Sequence, residues 1–282
     1  MENRVSGRRP VNYKLISYIL LFVSSFLLLL PILWMLSVSL RANIEVQSGL
    51  YPTWLPQEFR ADSYLTVLGS ARFLRCFWNS YFVSALVTLL ALFFGSLAGY
   101  GIARFEFRGK RPVILFLLIT QTFPLVLLSL PYFVFIVEIG LYNTLTSLVL
   151  VYLSFCLPFC ILMLRNYFQE LPTELEEAAM IDGCTRLGAL WKVTIRLSGP
   201  AMVGTGLYTF LLAWNEFLFA QILIDDWSNR VLTVAIYSLL SEFNNDWTTM
   251  MAFSMLASLP IFVAFIFLQK YVIRGMTMGA IK

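Results

Sequence analysis

The chain has 282 residues; 59% are hydrophobic, only 13% are charged, and the mean hydropathy is +0.78. A soluble domain carries roughly a quarter charged residues, so this chain cannot dress a surface in water, and it is too apolar to stay disordered; lipid is the solvent that suits it. The net charge of +4 is too small to argue for nucleic acid, and the absence of histidine removes the commonest general base and zinc ligand.

In chain order, a basic segment 1–14 leads into six runs long enough to cross a bilayer as helices of about 20 residues: 15–38, 81–102, 113–137, 145–164, 201–224 and 250–268. The expected class is therefore all-α, a polytopic membrane protein with six spans. The first span holds Pro31, and a loop 39–80 rich in aromatics follows it. The second carries Ala91, Gly95, Gly99 and Ala103 at four-residue spacing, a stripe of small residues that lets a neighbouring helix approach closely. The third holds Pro124 and Pro131 beside Thr120, Gln121 and Thr122; these two, like Pro31, Pro158 and Pro260, each remove a helix hydrogen bond and are expected to kink or interrupt their spans unless they are simply the prolines common in membrane helices. The fourth holds Pro158, with Cys156 and Cys160 four apart, a spacing that reads as packing on one face; no CxxC occurs. The fifth contains Glu216 in Trp214-Asn215-Glu216-Phe217, the lone charged residue inside the six runs. Two readings stand for it: a contact in a polar pathway or gate, together with Asn215 and Gln121, or an interfacial carboxylate bonded to a neighbouring loop. The loop 225–249 carries Trp227, Asn244, Asn245 and Trp247, and the sixth span carries Pro260. A tail, 274–282, closes the chain.

Lysine and arginine set the orientation. With the N-terminus in the cytoplasm, fifteen of them lie in inside segments and five outside. Both termini are thus expected in the cytoplasm.

The loop between the fourth and fifth spans is charged and helical. Pro172-Thr173-Glu174-Leu175-Glu176-Glu177-Ala178-Ala179-Met180-Ile181-Asp182-Gly183 reads as a helix with both ends marked. Thr173 with Glu176 three residues later fits a capping box, glutamates fill the first turn where the dipole favours them, and Gly183 suits a left-handed C-terminal turn. A second helical pattern follows at 187–193. Small residues Ala178, Ala179 and Gly183 would let another surface approach closely. The residues fit either a docking site or an amphipathic pair lying on lipid headgroups.

At these residues the sequence resembles a known family. Glu177-Ala178-Ala179-Met180-Ile181-Asp182-Gly183, followed by Pro200, resembles the EAA loop of bacterial ABC importer permeases. Pro31-Ile32-Leu33-Trp34-Met35-Leu36-Ser37, Tyr100-Gly101-Ile102-Ala103-Arg104-Phe105-Glu106-Phe107-Arg108-Gly109, Gly140-Leu141-Tyr142-Asn143-Thr144, Ala213-Trp214-Asn215-Glu216-Phe217 and Gly275-Met276-Thr277-Met278-Gly279-Ala280 resemble the carbohydrate subgroup, nearest to the maltose-type second permease subunit. The resemblance implies a type I ABC importer permease fold, a permease domain over 15–273 and a coupling loop, 172–198, docked on an ATP-hydrolysing subunit through Glu177, Ala178, Ala179, Asp182 and Gly183. It implies a bacterial inner-membrane location and four kinds of partner: a second homologous permease, a pair of ATPase subunits that bind ATP and Mg, an extracytoplasmic solute-binding protein met by the loop of Trp227, Asn244, Asn245 and Trp247, and a carbohydrate. No cofactor is expected in this chain, and no GxxxxGK[ST] occurs in it. Where the family has an LP pair after the loop, this chain has Ile195-Arg196, so the second helix is expected to run on further. The alternatives are a stand-alone secondary transporter or channel, for which Glu216 is the available ion-coupling group, and a membrane enzyme or anchoring subunit.

Overall fold

The computed structural model describes residues 13–48, 53–240 and 246–278. Asn244 and Asn245, most of the N-terminal segment and the last four residues of the tail lie outside them. Among the described residues the regular structure is helical throughout. The long helices are α1 (Tyr13–Ser39), α4 (Ala71–Arg104), α7 (Leu145–Glu170) and α14 (Trp247–Met278). Short helices α2 (Asn43–Gln47) and α3 (Asp62–Gly69) lie between α1 and α4. Helix α4 has 34 residues, about 51 Å at 1.5 Å per residue. It overshoots a hydrocarbon core of about 30 Å, so exposed Arg72 and Arg75 at one end can reach polar surroundings, and Arg104 at the other meets the loop that follows α7.

Two of the six expected spans are not continuous helices. The third splits into α5 (Lys110–Thr122), a 3₁₀ turn over Leu125–Leu128 and α6 (Ser129–Glu138), with a bend of 96°. Pro124 sits at the break in an extended conformation and can donate no backbone hydrogen bond. Pro131, in the first turn of α6, breaks nothing. Pro31, Pro158 and Pro260 lie inside continuous helices. The fifth expected span becomes α11 (Gly199–Trp214) and α12 (Leu218–Leu223). At 16 residues, α11 is about 24 Å long, short of a full crossing. Helix α13 (Leu232–Tyr237) follows α12.

The core is built on α4 and α7, which make the most extensive helix contact, with α11 packed against both. The expected stripe is the reason. A Cβ at Gly95 would lie 2.9 Å from Cys160 Cβ, and one at Gly99 would lie 3.0 Å from Arg165 N and 3.1 Å from Ile161 O. Ala91, Cys156 and Cys160 are fully buried there, with Val87, Leu148, Tyr152 and Phe219. At one end Tyr100, Leu164, Phe168 and Leu190 form a separate buried cluster beneath the loop 172–198. Helix α1 stands apart: its side chains are exposed over most of its length, and it packs chiefly on α14. In water such a face would be untenable, so lipid or another chain covers it. Beyond α1, Arg41 is buried, donates to Ser37 Oγ (3.0 Å) and to the Thr53 carbonyl, pairs with Glu45 (3.4 Å) and lies over the Trp34 ring. This pins the start of the aromatic loop to the end of α1.

Candidate functional site

The loop after α7 folds as expected in outline. Helix α8 (Glu174–Ile181) carries Glu174, Glu176 and Glu177 in its first turn. It ends in a Schellman turn: Cys184 N donates to Ala179 O and Gly183 N to Met180 O, both at 3.0 Å. Gly183 has φ +90°, the left-handed value that the turn requires. Thr185 then caps α9 (Arg186–Ala189), its Oγ1 accepting from Gly188 N at 3.1 Å. A π-helical turn, Leu190–Thr194, and α10 (Ile195–Leu197) carry the chain to Ser198, where α11 begins with Pro200 in its first turn. The second helical stretch therefore does run through Ile195-Arg196, as the missing proline led one to expect.

The capping box does not form. Thr173 has helical dihedrals and its side chain caps nothing. Glu176 turns inward instead. Its Oε1 accepts from Arg104 Nη2 (2.8 Å), Arg104 Nε (3.0 Å) and Thr194 Oγ1 (2.9 Å), and its Oε2 accepts from Tyr100 Oη (2.9 Å). Arg104 Nη2 also donates to Leu171 O at 3.0 Å. Both side chains of the ion pair are more than nine-tenths buried. Removing two charges from water is costly unless each lone pair and proton finds a partner. Four donors on one carboxylate meet that condition. Thr194 reaches it from the π-helical turn, a distortion that recurs at functional sites. One buried carboxylate thus ties together the end of α4, the start of α8 and the turn before α11.

With Glu176 facing in, the other face of α8 looks out. Glu177, Ala178, Asp182 and Gly183 are exposed, and Ala179 is half-buried. Ile181 is 86% exposed and Leu187 60%. These two apolar side chains flank the turn in sequence, and neither is covered within the chain. The surface offers the carboxylates of Glu177 and Asp182, a close-approach patch of small side chains and the apolar knobs Ile181 and Leu187.

The three candidate pathway residues are not brought into one cluster. Glu216 lies at the break between α11 and α12, and its carboxylate accepts from Phe219 N (2.9 Å) and Ala220 N (3.1 Å), while its carbonyl accepts from Thr233 Oγ1 (2.7 Å). It serves as the N-terminal cap of α12, where free N–H groups and the dipole favour an anion. The carboxylate is thus bonded to the helix that follows it in the chain rather than to a neighbouring loop, and Thr233 meets the backbone carbonyl of Glu216. Exposed Asn215 donates to Leu211 O at 2.9 Å and opens onto a groove of about 180 Å³ shared with Thr233, Ser254 and Ser258. Gln121, also exposed, donates to Phe155 O at 3.4 Å beside the bend of the third run.

At the opposite end from the loop 172–198, Trp227 is half-buried. Arg230 lies 4.4 Å and Arg72 5.9 Å from its ring centroid, and Phe73 meets it edge-on. Its ring is largely engaged within the chain. Trp247, half-buried, begins α14. The segment after α12 is held by Asn143, at φ +61°. Asn143 Oδ1 accepts from Asp225 N (3.1 Å) and Asp226 N (3.0 Å), and its carbonyl accepts from Asn229 Nδ2 (2.8 Å). Ser228 N–H donates to Asp226 (3.0 Å) and holds that carboxyl below its ordinary range. Sequence reasoning missed Asn143, Thr194 and the Glu176–Arg104 pair. Asparagine after a glycine-led turn was a signal for the first, because Asn tolerates left-handed dihedrals; the pair, far apart in the chain, left no local trace.

The family model for the inner membrane component of binding-protein-dependent transport systems matches residues 91–278. The chain is 34% identical over 254 residues to the sulfoquinovosyl glycerol transport system permease protein SmoH of Agrobacterium fabrum, with 90% of this chain and 89% of the relative covered. It is 34% identical over 277 residues to the trehalose/maltose transport system permease protein MalG of Thermococcus litoralis, covering 94% and 96%. A crystal structure of a bacterial ABC transporter involved in the import of the acidic polysaccharide alginate contains a chain that superposes with a TM-score of 0.79 at 23% identity, over 96% of this chain and 100% of that one. That likeness speaks to the fold.

Proposed function

The chain belongs to the family of inner membrane components of binding-protein-dependent transport systems, and from that premise we propose that it moves a carbohydrate across the bacterial cytoplasmic membrane, driven by ATP hydrolysis on a partner subunit. The observation that carries the mechanism is the inward turn of Glu176. It fixes the loop 172–198 to α4 and leaves Glu177, Ala178, Asp182 and Gly183 facing solvent, available to an ATPase subunit. Closure of a pair of such subunits around ATP and Mg would displace α8. Through Glu176 and Arg104, the displacement would reach α4 directly rather than through the connection 171–173 to α7. Carbohydrate as cargo is supported by relatives at 34% identity whose names specify sugar-containing substrates. A second permease would cover exposed faces such as α1, and a solute-binding protein would meet the end that carries Asn143 and Trp227. Both termini would lie in the cytoplasm. For a stand-alone secondary transporter the candidate coupling group is Glu216, and its carboxylate is engaged in capping α12.

The experiment is reconstitution in proteoliposomes with the second permease, the ATPase pair and the binding protein. Uptake of labelled mono- and disaccharides should require ATP and every partner, and the purified chain should hydrolyse no ATP. Uptake by the chain alone, driven by an ion gradient, would overturn the reading.

A further inference from the structure

An open cavity of about 560 Å³ lies between the start of α5 and the last third of α7. Its polar wall is mainly cationic: Lys110, Arg111 and Arg165, with neutral Gln169, against the single carboxylate of Glu106. Phe107 and Ile114 supply apolar wall.

The charges are placed against local preference. Lys110 and Arg111 occupy the first turn of α5, a helix of 13 residues with no acid in that turn. The positive end of a helix dipole favours anions and disfavours cations. Arg165 donates Nη1 to Asn166 Oδ1 at 3.0 Å, but its Nε is buried with no hydrogen-bond partner. A buried N–H without an acceptor is an unusual cost in a folded protein. Lys110 is held by Phe105 O (3.2 Å) and by Glu106 (2.7 Å), whose side chain is 89% exposed and free to swing away. Immediately beyond these cations α5 becomes apolar, with Val113, Leu115 and Phe116 exposed. The cavity therefore sits where hydrocarbon gives way to water.

We propose that this cavity binds the phosphate headgroup of an anionic phospholipid, with Arg165, Arg111 and Lys110 as donors and the acyl chains lying along the exposed face of α5. Guanidinium groups match the geometry of phosphate oxygens, and basic pockets at the cytoplasmic boundary of membrane helices hold such headgroups. A lipid is favoured over free phosphate because the apolar wall runs on into the exposed side chains of α5. The excess of cations on cytoplasmic loops explains how many charges are present. It does not explain the unpaired Nε of Arg165 or two cations at the positive end of a helix. The proposal rests on the orientation that puts both termini in the cytoplasm, and it is independent of the cargo and of the loop 172–198.

The test uses the complete importer in nanodiscs of phosphatidylcholine doped with phosphatidylglycerol, with retained lipid counted by native mass spectrometry. We expect saturable retention of one phosphatidylglycerol per copy of this chain. K110Q/R111Q and, separately, R165Q should weaken it on the order of fivefold per charge removed. E106Q should tighten it severalfold by freeing Lys110. R108Q, in the same loop but outside the cavity wall, should leave it unchanged, and thermal unfolding of each variant reports whether it is folded. Retention lowered by R108Q as much as by K110Q/R111Q, or lowered by neither K110Q/R111Q nor R165Q, means diffuse attraction and overturns the site. A parallel arm titrates inorganic phosphate into neutral discs. Saturable phosphate binding lost in K110Q/R111Q, with no phosphatidylglycerol retained, would overturn the lipid assignment.

Discussion

Arg104 and Glu176, separated by 72 positions in the chain, meet as a buried ion pair in which two guanidinium nitrogens converge on one carboxylate oxygen at 2.8 and 3.0 Å. The pair joins the last residue of α4 to the first turn of α8, so the loop is fastened to the central helix of the core and not only to α7, from which it emerges.

Breaking that pair from one side leaves a buried charge alone, at a cost of about 3–5 kcal/mol. Glu176→Ala should therefore release the loop while the lipid-embedded helices keep their own hydrogen bonds. Limited proteolysis should cut between residues 172 and 198, and the ATPase subunit should no longer co-purify. The double change Arg104→Met with Glu176→Leu should recover much of the protease resistance, because an apolar pair can replace a buried ionic one. Equal sensitivity of the single and double variants would remove the pair from the account.

Gly183 has φ +90°, and a Cβ there would meet nothing within 4 Å. The penalty for a side chain is thus backbone strain, on the order of 1–3 kcal/mol, and not a clash. Gly183→Val should weaken ATPase attachment and uptake with normal abundance in the membrane. Gly183→Asn should retain most of both, since Asn accepts the left-handed region. Equal loss in the two variants would point to contact with the partner surface rather than to the turn.

The opposite holds at Gly99, where an added methyl group would press on the backbone of α7 at 3.0 and 3.1 Å. Gly99→Ala should lower stability by roughly 1–3 kcal/mol through overpacking, read as a lower unfolding temperature in detergent. At Gly95 the obstacle is the Cβ of Cys160. Gly95→Ala should be rescued in part by Cys160→Gly, a rescue that Gly99→Ala should not share.

Asn143→Ala removes two acceptor bonds and puts a Cβ-branch-free but non-glycine residue at φ +61°. With a neutral hydrogen bond contributing about 1 kcal/mol, amide exchange at Asp225 and Asp226 should quicken by roughly fivefold. Exchange in α7 should stay unchanged. Asn143→Gly should show the same quickening, which separates the lost side-chain acceptor from the dihedral strain.

Composition and hydropathy alone determined that the chain lives in lipid, is helical and threads the membrane several times, because a bilayer forces each span to satisfy its own backbone over about 20 residues. The stripe of Gly95 and Gly99, the turn at Gly183 and the interruption at Pro124 were legible for the same reason: each rests on sterics within a few residues or along one helix face. Tertiary structure decided what the carboxylates do. Glu176 had a local partner on offer in Thr173 and took Arg104, Tyr100 and Thr194 instead, and Glu216 became a helix cap because the fifth run breaks after Trp214. A buried charge selects its partners by what the fold brings within about 3 Å of it, and spacing along the chain does not carry that distance.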